Sequence, residues 1–229
     1  MILQLRSQGD YEEMRAINYS DKAIEKINEK LQDVDFCGGS WSDEDLEFIR
    51  KEIKDFYIKE QRHTCIYCRQ VFKSNNGRIW DVEHVVSRES VHEFMFEPKN
   101  LCVSCPECNQ RKGANKVTNS KARKRLPSNS MDYAIVHPHF DDYQEHIEAI
   151  KPGEFYVSKT KKGEKTIAIC GLNRFYEFAG YDQAVTANNQ IFQYATLLSN
   201  TDNEEQRKNL LREIAALAIG QLVAVEANK

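Results

Sequence analysis

The sequence lacks a long apolar run, a surplus of positive charge and an internal repeat. No stretch reaches the roughly 18 consecutive apolar residues that a membrane-spanning helix needs, so we expect no transmembrane segment. The N-terminal letters MILQLRSQGDYEEM hold no basic start followed by an apolar core, which argues against a secretory signal peptide. These absences predict a cytoplasmic protein.

The overall charge is close to neutral. The 229 residues carry a formal net charge of −3, so a nucleic-acid site must arise from local clustering of basic residues. A hydrophobic fraction of 41% with 29% charged residues is ordinary for a globular protein. The length allows one large domain or two small ones. We expect an N-terminal helical region over 1–60, a core over 61–125 and an extension over 126–229.

Two Cys-x-x-Cys pairs stand out among the seven cysteines. In a reducing compartment such pairs favour metal ligation over disulfides. Cys65 and Cys68 form the first pair, and Cys105 and Cys108 form the second. Four thiolates close a tetrahedral structural zinc site and leave no open position for catalysis. The alternative is four free thiols.

Cys102 complicates this assignment, because Cys102 and Cys105 have the same spacing as each pair. We prefer Cys105 and Cys108 as the second pair. Cys102 directly follows Leu101 and has the character of a core position.

The flanking segments predict helices and hairpins. Helices are expected from Ser20 to Leu31, over 43–60 after a Ser42 cap, over 141–150, and from a Thr201–Glu204 capping box to about Val225. Asn76-Gly77 predicts a hairpin that leads into residues 79–84, and Lys162-Gly163 predicts a second hairpin over 154–170.

The central stretch carries residues suited to phosphodiester hydrolysis, a reaction that requires an activated water and neutralisation of phosphate charge. A neutral His84 is able to take the proton of the water at cellular pH. Glu83 and Asn109 offer a carboxylate and an amide carbonyl, the hard oxygen ligands that Mg²⁺ prefers. Such an ion acts as a Lewis acid on the phosphate.

In its order of motifs this stretch resembles the HNH endonuclease family. The resemblance rests on DVEHVV from Asp81, the Asn100-Leu101 pair and Asn109 directly after Cys108, and it covers about residues 60–115. It implies two strands and a helix around one divalent ion, Mg²⁺ or Mn²⁺, beside a four-cysteine zinc. Neighbouring strand residues point to opposite faces, so the resemblance also implies a bend at Glu83-His84. Asn100 would hold a loop in shape and Asp81 would support the site.

The chain departs from the family pattern at three positions. Ser87 stands where many members have a proline three residues after the catalytic histidine. Glu83 replaces the commoner aspartate, and Asn109 replaces the last histidine of the motif.

Basic residues follow the second cysteine pair in the segment RKGANKVTNSKARKR, residues 111–125. Because phosphate contacts are dominated by charge, this segment predicts a DNA-backbone surface, although a solvated loop is the alternative. Arg111, Lys112 and Lys116 are the candidate contacts. Lys112 lies about one helical turn past Asn109 and is expected to face the same way.

We therefore expect an α+β fold and metal-dependent cleavage of DNA. The HPHFDD segment from His137, the second hairpin and GLNR from Gly171 resemble, more weakly, HNH nucleases of Septu-type and retron-linked anti-phage systems. That resemblance implies an ABC-type ATPase partner. The alternative is a zinc-stabilised nucleic-acid-binding or ATPase-partner subunit without catalysis of its own. The residues His137, His139 and His146 with Asp141 and Asp142 offer a second metal site as an alternative to a structural role.

Overall fold

The computed structural model describes residues 14–74, 76–122, 124–174 and 189–227. Short antiparallel strand pairs alternate with helices, so the fold is α+β as predicted. Within the described ranges, no helix is long and apolar enough to cross a membrane.

The first helix, α1 (Asp21–Leu31), begins where the sequence predicted. The hydroxyl of Ser20 accepts a hydrogen bond from the backbone N–H of Ala23 and satisfies one free donor of the first turn. Ala23 and Ile27 are buried, whereas Leu31 is half exposed.

The second helix, α2 (Glu47–Glu60), begins later than the predicted residue 43. Ser42 ends a 3-10 turn, Gly38–Ser42, and a second 3-10 turn, Glu44–Leu46, leads into the helix. The predicted apolar face is nevertheless the buried one, and it includes Ile49, Ile53 and Tyr57.

The centre of the fold is a strand pair followed by a helix. β1 (Asp81–His84) pairs antiparallel with β2 (Leu101–Ser104), with Glu83 opposite Cys102 and His84 opposite Leu101. All four residues of β2 are buried. Helix α3 (Pro106–Lys112) follows at once, with Pro106 in its first turn.

The hairpin predicted at Asn76-Gly77 is wrong. Gly77–Ile79 forms a 3-10 turn that is capped by the Asn76 side chain. Val71 pairs instead with Thr64 across the first cysteine pair. The partner of β1 is the distant β2, whose four residues are all buried, and this long-range pairing is one that a local turn signal does not reveal.

The C-terminal part begins with helix α4 (Tyr143–His146) and an antiparallel pair, β3 (Ile147–Lys151) and β4 (Phe155–Ser158). The helix predicted over 141–150 is thus only one turn long. Helix α5 (Lys161–Ile169) replaces the second arm of the predicted hairpin over 154–170.

The reason for this second wrong hairpin lies at Gly163. The Thr160 side chain accepts a hydrogen bond from the Gly163 N–H and caps α5. A Cβ atom at Gly163 would lie 2.0 Å from the backbone oxygen of His146. The glycine therefore permits close packing of α5 on α4 and makes no turn.

Two further helices, α6 (Asn189–Ser199) and α7 (Glu204–Ala227), pack against each other. α7 occupies the predicted segment, but its cap differs. The Asn203 side chain accepts from the Gln206 N–H, and the Thr201 hydroxyl contacts the Gln206 side chain.

One hydrophobic cluster joins all three predicted regions. Its buried members include Ile17, Ile53, Leu101, Ile135 and Leu172. The division into 1–60, 61–125 and 126–229 stays a prediction.

Candidate metal and nuclease site

The two cysteine pairs meet, as predicted. The sulfur atoms of Cys65, Cys68, Cys105 and Cys108 all lie within 4.8 Å of one another, and all four residues are buried. The Cys68 and Cys105 sulfurs are 3.9 Å apart. A tetrahedral zinc with Zn–S bonds of about 2.3 Å places its sulfurs about 3.8 Å apart, so these thiolates fit a structural zinc.

Cys102 lies outside this group. It is buried in β2 opposite Glu83, and the cluster of four sulfurs does not include it. The choice of Cys105 and Cys108 as the second pair is confirmed.

Arg174 contacts the cysteine site from the C-terminal part. Its guanidinium is 3.5 Å from the Cys108 sulfur and 2.8 Å from a Glu107 carboxylate oxygen, and the side chain is buried. Four thiolates around Zn²⁺ leave a net negative charge, which this cation offsets. Sequence patterns did not identify Arg174 as part of the site.

The acidic side chains of β1 face helix α3. The Asn109 amide nitrogen donates to Asp81 Oδ2 at 2.9 Å, which leaves the Asn109 carbonyl oxygen free to accept or to bind a cation. The Lys112 ammonium lies 2.5 Å from Glu83 Oε1 and donates to the backbone oxygen of His84 at 2.9 Å. Asn109 and Lys112 therefore face the same way, as the helical spacing predicted.

His84 contacts a different set of neighbours. Its Nε2 lies 3.1 Å from the backbone oxygen of Met95, and because a carbonyl only accepts, Nε2 carries the proton. The Trp41 ring packs edge-on against the imidazole, with centroids 4.6 Å apart. In the described part of the chain Nδ1 has no hydrogen-bond partner, so its lone pair is available.

Burial is the main cause that lowers the pKa of His84, to about 3, and the positive charges of Arg88 and Lys112 act in the same direction. The imidazole is therefore neutral at cellular pH. For the buried Glu83 carboxyl, burial raises the pKa, while the Lys112 ammonium opposes that change.

A cleft of about 880 Å³ collects these groups. The strand pair and α3 contribute Asp81, Val82, Glu83, His84, Asn109 and Lys112 to its lining. The N-terminal region contributes residues that include Trp41, Arg50 and Lys54. β1 keeps its pairing through His84, and the chain bends at Val85 and Val86, directly after the expected position at Glu83-His84. Both side chains reach the same cleft nonetheless.

Asn100 fixes the loop between the two strands. Its amide oxygen accepts from the Val86 N–H at 2.7 Å, and its amide nitrogen donates to the backbone oxygens of Val86 and Phe94 at 3.0 Å. Asn100 is fully buried and does not line the cleft. These contacts suit the loop-holding role that the resemblance implied.

The three basic candidates differ in exposure. Arg111 and Lys116 are exposed, as a phosphate contact requires. Lys112 is only 1% exposed and ion-paired with Glu83, so the expectation of a surface phosphate contact is wrong for this residue. The Lys112 side chain instead lines the cleft, where it is buried against Glu83.

The alternative second metal site is not supported. Among the described residues, the group of four cysteines is the one cluster of three or more His, Cys, Asp or Glu ligands. The two ring nitrogens of His139 face the backbone oxygens of Met14 and Leu101. His137 stacks on Phe140 in the core.

Besides Arg174, two further residues of this site escaped the sequence analysis. Tyr67 lies between the first two cysteines, and its hydroxyl donates to Glu83 Oε1 at 3.1 Å. The sequence signal that could have identified Tyr67 is its position between the two cysteines of the first Cys-x-x-Cys pair. Trp41 lies in the 3-10 turn Gly38–Ser42, far from His84 in the sequence. No sequence pattern links these two residues.

Comparison with known families gives one match. A family model described as HNH endonuclease matches residues 65–115, a range that holds both cysteine pairs, β1, β2 and α3. No curated protein and no solved structure matches the chain.

Proposed function

We propose, on the premise that residues 65–115 form an HNH endonuclease domain, that this protein is a divalent-metal-dependent endonuclease that hydrolyses phosphodiester bonds in DNA. A nuclease domain of this family acts on nucleic acid and uses a divalent metal. The choice of DNA and the roles of individual residues are the proposal. The observation that carries it is the neutral His84, whose Nε2 is held by the Met95 carbonyl beside Glu83 and Asn109.

His84 is the general base in this proposal. Because Nε2 already carries a proton, Nδ1 accepts the proton of the attacking water. The water oxygen forms a bond to phosphorus, the bond from phosphorus to the leaving sugar oxygen breaks, and that oxygen takes a proton from solvent. The edge-on contact with Trp41 and the hydrogen bond to Met95 keep the imidazole in one orientation.

Glu83 and Asn109 are the residues that would hold the catalytic Mg²⁺ or Mn²⁺. The donor set fits, since a carboxylate and an amide oxygen with further waters suit a hard cation that retains part of its hydration shell. Asp81 orients the Asn109 amide so that its oxygen remains available. When bound, the ion supplies Lewis-acid stabilisation of the phosphate and the leaving oxygen.

Arg111 and Lys116 are proposed to contact the DNA backbone, because both are exposed, Arg111 on α3 and Lys116 four residues past its end. We also propose a cytoplasmic location, an anti-phage role and an ABC-type ATPase partner. The last two rest on the C-terminal resemblance alone. One element of that resemblance is the hairpin predicted over 154–170. In the structure this segment is a strand followed by a helix.

Plasmid cleavage tests this function. We expect the zinc-loaded protein to nick or cut plasmid DNA with Mg²⁺ or Mn²⁺ and not with EDTA. His84→Ala should reduce the rate by about 10²-fold or more, since it removes the base. His92→Ala is the matched control, because its side chain is exposed and lies in the connection between β1 and β2.

A His84→Ala variant that cleaves at the wild-type rate would show that His84 is not the base. Parallel reactions with single-stranded DNA and RNA decide the substrate class. DNA binding without cleavage of any substrate, with every metal tried, would instead favour the zinc-stabilised binding module.

A further inference from the structure

Each cysteine pair sends one side chain to an acidic residue of β1. Tyr67 lies between Cys65 and Cys68 and donates to Glu83, while Asn109 directly follows Cys108 and donates to Asp81. The Glu83 carboxylate is thus held by a residue within the first cysteine pair, and the Asp81 carboxylate by the residue that follows the second pair.

Tyr67 is firmly placed. The side chain is 1% exposed, and its hydroxyl donates to Glu83 Oε1 at 3.1 Å. Its backbone oxygen accepts from the Tyr143 hydroxyl at 2.9 Å. The neighbouring cysteines fix the chain on either side when they share a metal ion.

The hydrogen bonds on Glu83 are unequal. Oε1 accepts from Tyr67 and is also the oxygen paired with the Lys112 ammonium. Among the described residues Oε2 has no such partner, and Glu83 lines the cleft. One oxygen is therefore occupied by protein donors, and the other remains for a cation.

We propose that Tyr67 is a positioning residue for the catalytic metal. Its hydroxyl holds Glu83 Oε1, directs Oε2 toward the divalent ion and joins the cysteine site to the nuclease site. This inference rests on the proposed function, because it assumes that Glu83 is a metal ligand. A donor that orients a ligating carboxylate raises metal affinity, and its loss typically weakens binding on the order of 10-fold.

Binding of Mn²⁺ to the DNA-free, zinc-loaded protein tests this, with titration followed by electron paramagnetic resonance. Tyr67→Phe removes one oxygen atom and keeps the packed ring. We expect it to weaken Mn²⁺ binding on the order of 10-fold, with zinc content unchanged. Tyr133→Phe is the matched control, since it deletes another buried hydroxyl, which donates to the Pro127 backbone oxygen and not to Glu83 or Tyr67. Its Mn²⁺ affinity should equal that of the wild type.

Equal Mn²⁺ affinity of Tyr67→Phe and the wild type would overturn the inference. Equal weakening by Tyr67→Phe and Tyr133→Phe would also overturn it, since that result indicates general loosening of the fold. Glu83→Gln separates this failure from failure of the proposed function. If neither the wild type nor Glu83→Gln binds Mn²⁺ at this site, the metal assignment itself is wrong, whatever Tyr67 does.

Discussion

The Lys112 ammonium and the Glu83 carboxylate form an ion pair of 2.5 Å in which both side chains are almost completely buried. Removing one member of a buried pair leaves the other charge without compensation, which costs far more than breaking an exposed pair. In the metal-free protein, Lys112 is thus the main counter-charge for a carboxylate that we propose to be a metal ligand.

Lys112→Met should destabilise the metal-free protein by about 3 kcal/mol, measured by urea unfolding. Saturating Mg²⁺ should recover part of that loss, because the cation then neutralises Glu83. Lys51→Met is the control, since Lys51 also lies 2.5 Å from a carboxylate, that of Asp55, but both side chains are exposed. A Lys112→Met variant no less stable than Lys51→Met would contradict the importance of the buried pair.

Asn100→Asp tests the loop between β1 and β2. The substitution keeps the shape of the side chain but removes the N–H donors that reach the backbone oxygens of Val86 and Phe94. Unsatisfied buried acceptors and a buried charge should lower the free energy of unfolding by about 2 kcal/mol, and plasmid cleavage should fall with it. Unchanged stability and cleavage would mean that the loop does not depend on these bonds.

Much of this site could be predicted from the sequence because its residues come in order within one short segment. The four cysteines and the shared orientation of Asn109 and Lys112 follow from local spacing, whereas the two strands and the helix were implied by the family resemblance. The two wrong hairpins show the limit. Gly163 resembled a turn residue, yet the contact that requires a glycine is with His146, which local patterns do not reveal. Trp41 reaches His84 through tertiary packing alone.

The cysteine assignment predicts different results for two neighbouring cysteines. Cys105→Ser should lower bound zinc below one equivalent and lower thermal stability, because it removes one of four thiolates. Cys102→Ser should retain one zinc, since Cys102 is buried outside the group. Elemental analysis of both purified variants measures this. Zinc loss in Cys102→Ser but not in Cys105→Ser would reverse the assignment.

Lys116 offers a test of the proposed DNA surface. It is exposed and lies four residues past Lys112. If it contacts a phosphate, Lys116→Gln should weaken DNA binding about equally for every sequence and reduce the slope of log affinity against log salt by about one. Fluorescence anisotropy at several salt concentrations measures both effects. Lys165→Gln, also exposed but on α5, serves as the control for loss of one positive charge.

The buried His84 also predicts how stability depends on pH. The unfolded chain protonates this histidine near its ordinary pKa of 6.5, whereas burial lowers the pKa to about 3 in the folded protein. Between these values unfolding takes up a proton, so acid favours the unfolded state and stability falls as pH decreases below 6.5. The pKa of His137 is lowered too, so the test is a difference between two proteins.

Metal-free wild type should lose about 2 kcal/mol more than His84→Gln between about pH 7 and pH 5, because each pH unit below the unfolded pKa of about 6.5 contributes about 1.4 kcal/mol. Urea unfolding of both proteins across that range measures the difference, in which all other titrating groups cancel. Parallel stability curves would mean that His84 is protonated in the folded state as readily as in the unfolded chain. A base already protonated at mildly acidic pH would lose cleavage activity near pH 6.5, whereas the buried neutral imidazole keeps its Nδ1 lone pair well below that pH.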